Sequence, residues 1–286
     1  MPRIAYVNGA YRPHHDAAVH IEDRGYQFAD GVYEVVTVIR GKLIDEEPHL
    51  DRLDRSLREL DMASPMSRPP LKFVLREIIR RNRLKTGIVY FQVTRGVAPR
   101  DHGYPANSTP ALVVTAKSMP ALAGPINPAG ISVLTVPDNR WGRCDIKTVG
   151  LLANCIAKQR AIEVGKGDAW LVDEDGTVTE GSSSNAWIVN SDGELITRPT
   201  TDNILHGITR RRIFSIAERE GLRIIERPFT VEEAQQAKEA FQTSASGFPK
   251  AVTSIDDTSI GNGRMGELTG RLHKYYMAFA EEAPAT

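Results

Sequence analysis

The sequence predicts an α/β fold of the α+β type in two domains, and three observations support this. Each half of the chain contains runs of apolar and β-branched residues bounded by Gly, Pro, Asn and Asp, as strands do. Both halves also contain apolar residues at helical spacing. Between the halves, the stretch 118–130 contains Pro120, Pro125 and Pro128 and has the composition of an interdomain connector. We therefore expect a small N-terminal α/β domain over residues 1–120 and a larger domain over 121–286.

The N-terminal half is expected to begin with a sheet and continue with two helices. Short apolar runs interrupted by turn residues occupy Ile4–Lys42, and β-branched residues are concentrated in Val32–Ile39. Apolar side chains recur at helical spacing over Leu50–Leu60 and Leu71–Ile79, which predicts two amphipathic helices. Two further strands are predicted at Gly87–Arg95 and Ala111–Lys117, joined by the polar loop Gly96–Pro110.

The C-terminal half alternates strands and helices around one irregular segment, Pro137–Gly150. A strand at Ile131–Val136 precedes that segment, and a helix at Leu151–Val164 follows it. Two Asp-Gly turns then predict a meander of four strands, at Ala169–Asp173, Thr177–Glu180, Ala186–Val189 and Glu194–Thr197. The other main predicted elements are helices at Ile208–Glu220 and Glu267–Phe279 and strands at Phe241–Ser244 and Val252–Ile255.

The composition argues against several classes of function. Lys plus Arg and Asp plus Glu number 36 each, so no net field favours nucleic acid or an anionic membrane. Cys144 and Cys155 form no C-x-x-C pair and have no His at metal-ligand spacing, so we expect neither a metal site nor a disulfide framework. The sequence has no signal-peptide pattern and no long apolar run. We expect a cytoplasmic protein that acts on a small molecule.

Two polar features could bind an anionic ligand or a ring. In the run Thr179–Asn185, Glu180 stands at the end of a predicted strand and Gly181 permits close backbone approach, so a carboxylate could be presented beside a row of hydroxyls. The helix start at Ile208 and Thr209 offers backbone N–H groups that could bind a phosphate. A solvated loop and an ordinary helix end are the commoner explanations of these features when each is considered alone.

Two further candidates involve basic side chains. Arg100 and His102 lie two residues apart in the polar loop, so in an extended loop both would project to one side and could grip a carboxylate. Lys147 stands among apolar residues in the irregular segment, where partial burial would favour a nucleophilic amine. Surface polar residues and an ordinary lysine with a buried stem are the alternatives.

Six motifs in order along the chain resemble those of the fold-type IV pyridoxal-phosphate enzymes, and among these the D-amino acid transaminases. The motifs are Asp23-Arg24-Gly25-Tyr26-Gln27-Phe28, Asp30-Gly31-Val32-Tyr33-Glu34, the Arg95–His102 run, Arg143–Lys147, Thr179–Asn185 and Gly207–Arg210. The resemblance covers nearly the whole chain. It implies a small α/β domain followed by a larger pseudo-barrel domain, with a pyridoxal 5'-phosphate site at their interface.

The resemblance also implies how this cofactor is held. Lys147 matches the lysine that forms the Schiff base and moves the proton, and Glu180 matches the glutamate that pairs with the pyridine nitrogen. Arg52, in the segment His49-Leu-Asp-Arg52-Leu, matches the arginine that holds the phosphate. The other cofactor-binding residues implied are Leu205 against the ring and Ile208 and Thr209 at the phosphate.

One motif departs from the family pattern. Where the family has Thr-[Ser/Gly]-Thr, this chain has Thr243-Ser244-Ala245-Ser246, so a hydroxyl that would donate to the phosphate is missing. Ser246 or a water could replace that hydroxyl. The departure predicts a weaker grip on the cofactor.

The substrate site implied by the resemblance uses a second subunit. Tyr33, Arg100 and His102 match the group that binds the substrate α-carboxylate, and the Arg-x-His pair comes from the neighbouring subunit in the family. A homodimer with shared active sites is therefore implied. Val35, Ser183 and Ser246, with the loop around Gly103 and Tyr104, are expected to line the pocket for the substrate side chain.

The expected reaction is a ping-pong transfer of an amino group from a D-amino acid such as D-alanine to a 2-oxo acid such as 2-oxoglutarate. The carboxylate site decides which face of the substrate presents its Cα–H bond to Lys147. Branched-chain L-aminotransferases, (R)-amine transaminases and aminodeoxychorismate lyases share the fold and the Lys/Glu pair and are the alternatives. A non-catalytic binding protein is a further alternative.

Overall fold

The chain folds into two compact units. The structure, a computed structural model, describes residues 3–282, and the ends of the two predicted domains at 1–2 and 283–286 lie outside the described residues. The first unit contains the residues up to Gly124 together with Ile146–Gly150. The second contains Pro125–Asp145 and Leu151–Glu282. The segment that carries Lys147 thus belongs to the first unit although it follows residue 121 in the sequence.

The first unit is a six-stranded antiparallel sheet with helices. Its strands are β1 (Ile4–Val7), β2 (Ala10–Pro13), β3 (Gly31–Ile39), β4 (Lys42–Leu43), β5 (Gly87–Thr94) and β6 (Ala111–Ser118). Its helices are α1 (Arg24–Phe28), α2 (Glu46–Glu59) and α3 (Arg68–Arg81). The strands lie in the order β2-β1-β6-β5-β3-β4. Both amphipathic helices predicted from the sequence, α2 and α3, are confirmed.

The predicted apolar stripes of α2 and α3 form the core of this unit. Leu50, Leu53 and Leu57 of α2 are buried in one cluster with residues of the sheet, and burial of each such leucine stabilises the fold by roughly 2 kcal/mol. The alternation of β3 decides which side chains meet that cluster. Val32 and Val36 are buried in it, so Glu34 shares their face, whereas Tyr33 and Val35 are only half-buried on the other face.

The second unit is built on a nine-stranded mixed sheet. Its strands are β7 (Ile131–Pro137), β8 (Asp168–Val172), β9 (Val178–Gly181), β10 (Asn185–Val189), β11 (Leu195–Thr197), β12 (Ile224–Glu226), β13 (Glu239–Ser244), β14 (Phe248–Ile255) and β15 (Thr258–Ser259). Its helices are α4 (Leu152–Glu163), α5 (Ile208–Arg219), α6 (Val231–Gln235) and α7 (Glu267–Glu282). The strands run β12-β11-β10-β13-β14-β7-β8-β9, with β15 beside β14, and β7 is parallel to both of its neighbours.

The fold class is confirmed, but two local expectations are wrong. The sequence indicates only strands over Ile4–Lys42, whereas α1 forms there because the side chain of Asp23 accepts a hydrogen bond from the Gly25 N–H and caps the helix. The predicted meander is also broken. β9 and β10 are consecutive in the chain but are not neighbours in the sheet order. β9 pairs with β8, whereas β10 pairs with β11 and with the distant strand β13, so long-range pairing decides the order.

Among residues 3–282, no helix is both long enough and apolar enough to cross a membrane.

Candidate active site

Lys147 is held by backbone pairing with the start of β3. The Tyr33 N–H donates to the Lys147 carbonyl at 3.0 Å, and the Val149 N–H donates to the Gly31 carbonyl at 3.0 Å. Thr148 forms an isolated antiparallel bridge with Val32. These contacts fix the backbone around Lys147 against the sheet, so an irregular segment in the sequence becomes a rigid support in the fold.

The amine of Lys147 lies over an aromatic ring. Its Nζ is 4.1 Å from the centroid of the Tyr33 ring, and the side chain is half-buried. Within the described residues, no carboxylate or other acceptor bonds this Nζ. Such a contact is worth about 0.5–1 kcal/mol at exposed sites, much less than an ion pair in a buried site would give. The amine is therefore positioned but left open to another partner.

Arg52 belongs to a buried cluster that also contains Glu34 and His49. Its Nε and Nη2 donate to the two oxygens of Glu34, each at 2.8 Å, and His49 Nδ1 lies 2.7 Å from Glu34 Oε2. Burial raises the pKa of Glu34, but the charge and hydrogen bond of Arg52, with those of His49, outweigh burial and lower it to about 2. Burial also lowers the pKa of His49. Glu34 is thus a firmly ionised anion that fixes the plane of the Arg52 guanidinium.

Arg100 and His102 are brought together by one aromatic ring. The Arg100 Cζ lies 4.5 Å from the centroid of the Phe28 ring, and the His102 ring centroid lies 5.4 Å from the same centroid. Both side chains are exposed in this chain. The side chains of Arg100 and His102 therefore both contact the ring at the end of α1.

Glu180 is the centre of the polar cluster in the second unit. Its carboxylate is buried and accepts hydrogen bonds from Asn185 Nδ2 at 2.9 Å, from the Leu205 N–H at 3.2 Å and from Arg140. Arg140 also donates to Asp138, from Nη2 at 2.7 Å and from Nε at 2.9 Å. One guanidinium thus serves two carboxylates.

The pKa shifts in this cluster follow from that sharing. Burial raises the pKa of Glu180, and Arg140 and the Leu205 N–H oppose the rise without reversing it. Burial lowers the pKa of Arg140, but the hydrogen bond to Asp138 and the charge of Glu180 outweigh burial, so the pKa is raised. Because one guanidinium is shared by the carboxyl groups of Asp138 and Glu180, Glu180 is incompletely neutralised and a further cationic group can be accommodated beside it.

The other predicted residues of the second unit surround the start of α5 and two turns. Ile208 and Thr209 are buried in the first turn of α5, whose N-cap residue Gly207 provides no side-chain hydrogen bond. Ser246 is exposed in the turn after β13, and Ser183 is exposed between β9 and β10. The first-turn N–H groups of α5 therefore have no side-chain cap, as an anion-binding helix start requires.

Sequence reasoning missed four residues of these clusters. Asp138 and Arg140 lie in the segment classed only as irregular, and no local pattern links them to Glu180. Glu34 and His49 were detectable in principle, because an acidic residue on the apolar face of β3 needs a buried partner. His49 lies three residues before Arg52 on the same face of α2, which is the spacing such a shared partner requires.

The comparison with protein families decides the membership of this chain. Residues 31–255 match the family model described as amino-transferase class IV. The chain belongs to the class IV aminotransferase family. Lys147, Glu180 and the start of α5 all lie within the matched residues.

Relatives with assigned names agree with this membership. The chain is 42% identical to a D-alanine aminotransferase of Bacillus licheniformis over 263 residues, which are 92% of each chain. It is 37% identical to the D-alanine aminotransferase of Staphylococcus haemolyticus, covering 96% of this chain and 97% of the relative. It is 39% identical to that of Listeria monocytogenes, covering 95% and 94%.

Solved structures confirm the fold. The branched-chain amino acid aminotransferase of Escherichia coli has a TM-score of 0.88 at 23% identity, covering all of this chain and 97% of that one. A hypothetical aminotransferase from Mycobacterium tuberculosis in a PLP-bound form has a TM-score of 0.82 at 22% identity, covering 97% and 98%. At these identities the likeness shows the shared architecture, including the predicted pseudo-barrel.

Proposed function

We propose that this protein is a pyridoxal-phosphate-dependent D-amino acid transaminase that transfers the amino group of a D-amino acid such as D-alanine to a 2-oxo acid such as 2-oxoglutarate. The observation that carries the proposal is the 35–42% identity, over more than nine-tenths of the chain, to relatives named D-alanine aminotransferase. The presence of an open lysine amine and a buried, arginine-linked glutamate supports it.

The residues present fit this cofactor by the chemistry of their donors. The cofactor has an aldehyde, a phosphate and a pyridine nitrogen, which call for an amine, a set of cationic and N–H donors, and a carboxylate. The open amine of Lys147 meets the first need. Arg52, with the uncapped N–H groups of Ile208 and Thr209, meets the second, and Glu180 meets the third, with Leu205 supplying an apolar contact. When bound, the cofactor supplies an electron sink for the bond that breaks at the substrate Cα.

Lys147 has two roles in the proposal. Its amine would hold the cofactor covalently, and the same Nζ would accept the proton from the substrate Cα and return one during amino transfer. Tyr33 keeps the amine in place through the ring contact and the backbone hydrogen bond to Lys147. Among the described residues no carboxylate pairs with the Lys147 Nζ, so the amine is not tied to another side chain.

Glu180 would keep the ring nitrogen of the bound cofactor protonated. A carboxylate does so only if it is ionised and aimed, and the Asn185 amide and the Leu205 N–H fix its orientation. Arg140 favours the ionised form of Glu180. Because Arg140 also donates to Asp138, it does not fully neutralise Glu180, and the carboxylate can still pair with the cationic ring nitrogen.

The substrate carboxylate is bound by Tyr33 and by Arg100 and His102 contributed by a second copy of the chain. Arg100 and His102 are exposed in their own chain, so they are available to a neighbour. Val35, Ser183 and Ser246, with the loop at Gly103 and Tyr104, belong to the side-chain pocket in this proposal. An arginine fork to a carboxylate is worth roughly 1.5–3 kcal/mol, enough to select substrates that carry one.

A homodimer follows from that requirement, and the outer face of α4 supports it. Leu152 is 75% exposed and Ile156, one turn later, is 46% exposed, with Cys155 exposed beside them. Apolar side chains adjacent on one helix face favour burial by a partner. Sedimentation velocity of the cofactor-loaded protein is expected to give a dimer, and Leu152→Glu should shift it toward monomer with loss of turnover.

A cytoplasmic location is part of the same proposal, supported by the small number of cysteines.

A branched-chain L-amino acid aminotransferase is the second candidate, because solved structures of that name share the fold with TM-scores up to 0.89. Their identity to this chain, 24% in that case, is below the 35–42% of the D-alanine aminotransferases. A single-turnover experiment separates the candidates. D-alanine added to the loaded protein should abolish the visible absorption band, and 2-oxoglutarate should restore it, whereas L-leucine should leave it unchanged. A response to L-leucine alone would assign the protein to the branched-chain class, and loss of the band without recovery on adding a 2-oxo acid would contradict transamination.

A further inference from the structure

The helix α1 holds the backbone of the loop that carries Arg100 and His102. Arg24 is 3% exposed, and its Nη1 donates to the Asp101 carbonyl at 2.6 Å and to the Gly103 carbonyl at 3.2 Å. Its Nη2 lies 3.4 Å from the His102 carbonyl. One buried guanidinium therefore gathers three consecutive carbonyl groups, which no smaller or less branched cation could do.

The same helix also holds the two side chains. Phe28, at the end of α1, has the Arg24 Cζ at 4.8 Å and the Arg100 Cζ at 4.5 Å from its ring centroid. The His102 ring is tilted against it with the centroids 5.4 Å apart. Contacts of this kind are worth about 0.5–1 kcal/mol each, so Phe28 restrains two otherwise exposed side chains.

Asp30 connects this support to the sheet. Its Oδ2 accepts from Arg24 Nε at 2.8 Å and from Arg95 Nε at 2.8 Å. The Arg95 Cζ in turn lies 3.6 Å from the Tyr104 ring centroid. The residues from Arg100 to Tyr104 are all exposed, yet two buried arginines hold this part of the loop. Arg24 binds its backbone, Arg95 contacts the Tyr104 ring, and both arginines donate to Asp30.

We propose that Arg24 and Phe28 are positioning residues that determine affinity for the substrate carboxylate by holding Arg100 and His102 in one orientation. The inference rests on the proposed function, which assigns the carboxylate to that pair. Neither Arg24 nor Phe28 touches the substrate. Their effect is on pre-organisation, because a loop that must be ordered on binding loses affinity for its ligand without any change in the reacting groups.

Single-turnover kinetics of the cofactor-loaded protein with D-alanine tests this inference. Arg24→Lys keeps the charge beside Asp30 but cannot reach three carbonyls, and Phe28→Leu leaves the ion pair intact. Each variant should raise the D-alanine concentration for half-saturation by about tenfold, with the limiting rate changed by less than about threefold. Affinity for pyridoxal phosphate should stay unchanged. The matched controls Arg12→Lys and Phe73→Leu, both at exposed positions, should change none of these values.

A substitution of Arg100 itself separates failure of the positioning role from failure of the proposed function. Arg100→Met should raise half-saturation at least about tenfold, through loss of a charged hydrogen bond. If Arg100→Met has no effect, the assignment of the carboxylate to this pair fails. If it has that effect while Arg24→Lys and Phe28→Leu behave like their controls, or lower only the limiting rate, the positioning role is overturned. Should Arg24→Lys fail to fold by circular dichroism, Phe28→Leu decides the question alone.

Discussion

The two units each bury a glutamate against an arginine, yet the two carboxylates behave in opposite ways. Glu34 receives both Nε and Nη2 of Arg52 and contacts His49, and its pKa is lowered to about 2. Glu180 shares Arg140 with Asp138, and its pKa is raised. The difference lies in the number of anions that each arginine serves. A satisfied carboxylate maintains the structure, whereas an incompletely neutralised one is ready to bind a cation.

The largest expected effect is at Lys147, which neither carboxylate cluster includes. Lys147→Ala should reduce turnover of D-alanine by roughly 10⁴-fold or more, because the proton acceptor and the covalent anchor are lost together. Thermal unfolding should change little, since no ion pair is broken. Stopped-flow absorbance measures the first effect and calorimetry the second. Turnover within tenfold of the wild type would remove Lys147 from the mechanism.

The second-largest effect is expected for Glu180→Gln, which should lower turnover while the protein remains folded. Glutamine can accept a hydrogen bond from the ring nitrogen but cannot keep it protonated, so we expect turnover to fall roughly 10²- to 10⁴-fold. Initial rates with saturating cofactor give the measurement. Asn190→Asp, a change of the same size at a surface turn of the same unit, is the control and should leave the rate unchanged.

Glu34→Gln should mainly lower the free energy of unfolding, in contrast to Glu180→Gln, which should mainly lower turnover. The substitution removes the carboxylate charge that both Nε and Nη2 of the buried Arg52 contact, and breaking a buried pair costs about 3–5 kcal/mol of unfolding free energy. Urea denaturation measures this. Glu77→Gln on α3 is the matched control, because its partners Arg80 and Arg81 are exposed at the surface and surface pairs contribute little. Equal effects of the two substitutions would contradict the assignment of Glu34 as a structural anion.

The pKa of Glu34 is lowered and that of Glu180 is raised, so the two ionised carboxylates should affect stability with opposite signs. The folded pKa of Glu34, about 2, lies below its ordinary value of 4.5. Its contribution to stability is therefore complete above pH 4.5 and is lost as the pH falls from there toward 2. The difference in unfolding free energy between wild type and Glu34→Gln should be constant from roughly pH 6 to pH 4.5 and shrink as the pH falls from there to roughly pH 3.5. A difference independent of pH over that interval would show that the hydrogen bonds, not the charge, are responsible.

The smallest effect expected is a gain of stability in Glu180→Gln without cofactor. Because burial raises the pKa of Glu180, its ionised form destabilises the folded protein above that pKa, and the neutral amide of glutamine relieves this cost. Calorimetry of the cofactor-free protein at neutral pH should show a slightly higher melting temperature for the variant. A lower melting temperature would mean that Glu180 is as structural as Glu34.

Part of this contrast could be predicted from the sequence and part could not. The leucine stripe of α2 and the β-branched run of β3 follow local periodicity, which is why both elements were predicted. Lys147 and Glu180 were proposed as site residues because of the motifs in which they lie. Arg140 was not, because it meets Glu180 across 40 positions of sequence and lies in a segment without periodicity.

The two local predictions that were wrong concern the strand order around Gly181 and the helix that Asp23 caps. A five-residue helix such as α1 is too short to give a periodic signal, and its start depends on one side-chain hydrogen bond. The order of β9 and β10 depends on long-range pairing within the sheet, which a local turn signal does not report. Elements with a long periodic pattern of apolar residues could therefore be predicted from the sequence, and features that depend on single contacts could not.

The most direct test of the central claim is the protonation state of the pyridine nitrogen, read by ¹⁵N NMR of the protein loaded with ring-labelled cofactor. We expect a protonated nitrogen in the wild type and in Glu34→Gln, and an unprotonated one in Glu180→Gln. A nitrogen signal that is the same in wild type and Glu180→Gln would contradict the account, because Glu180 would then have no part in holding that proton.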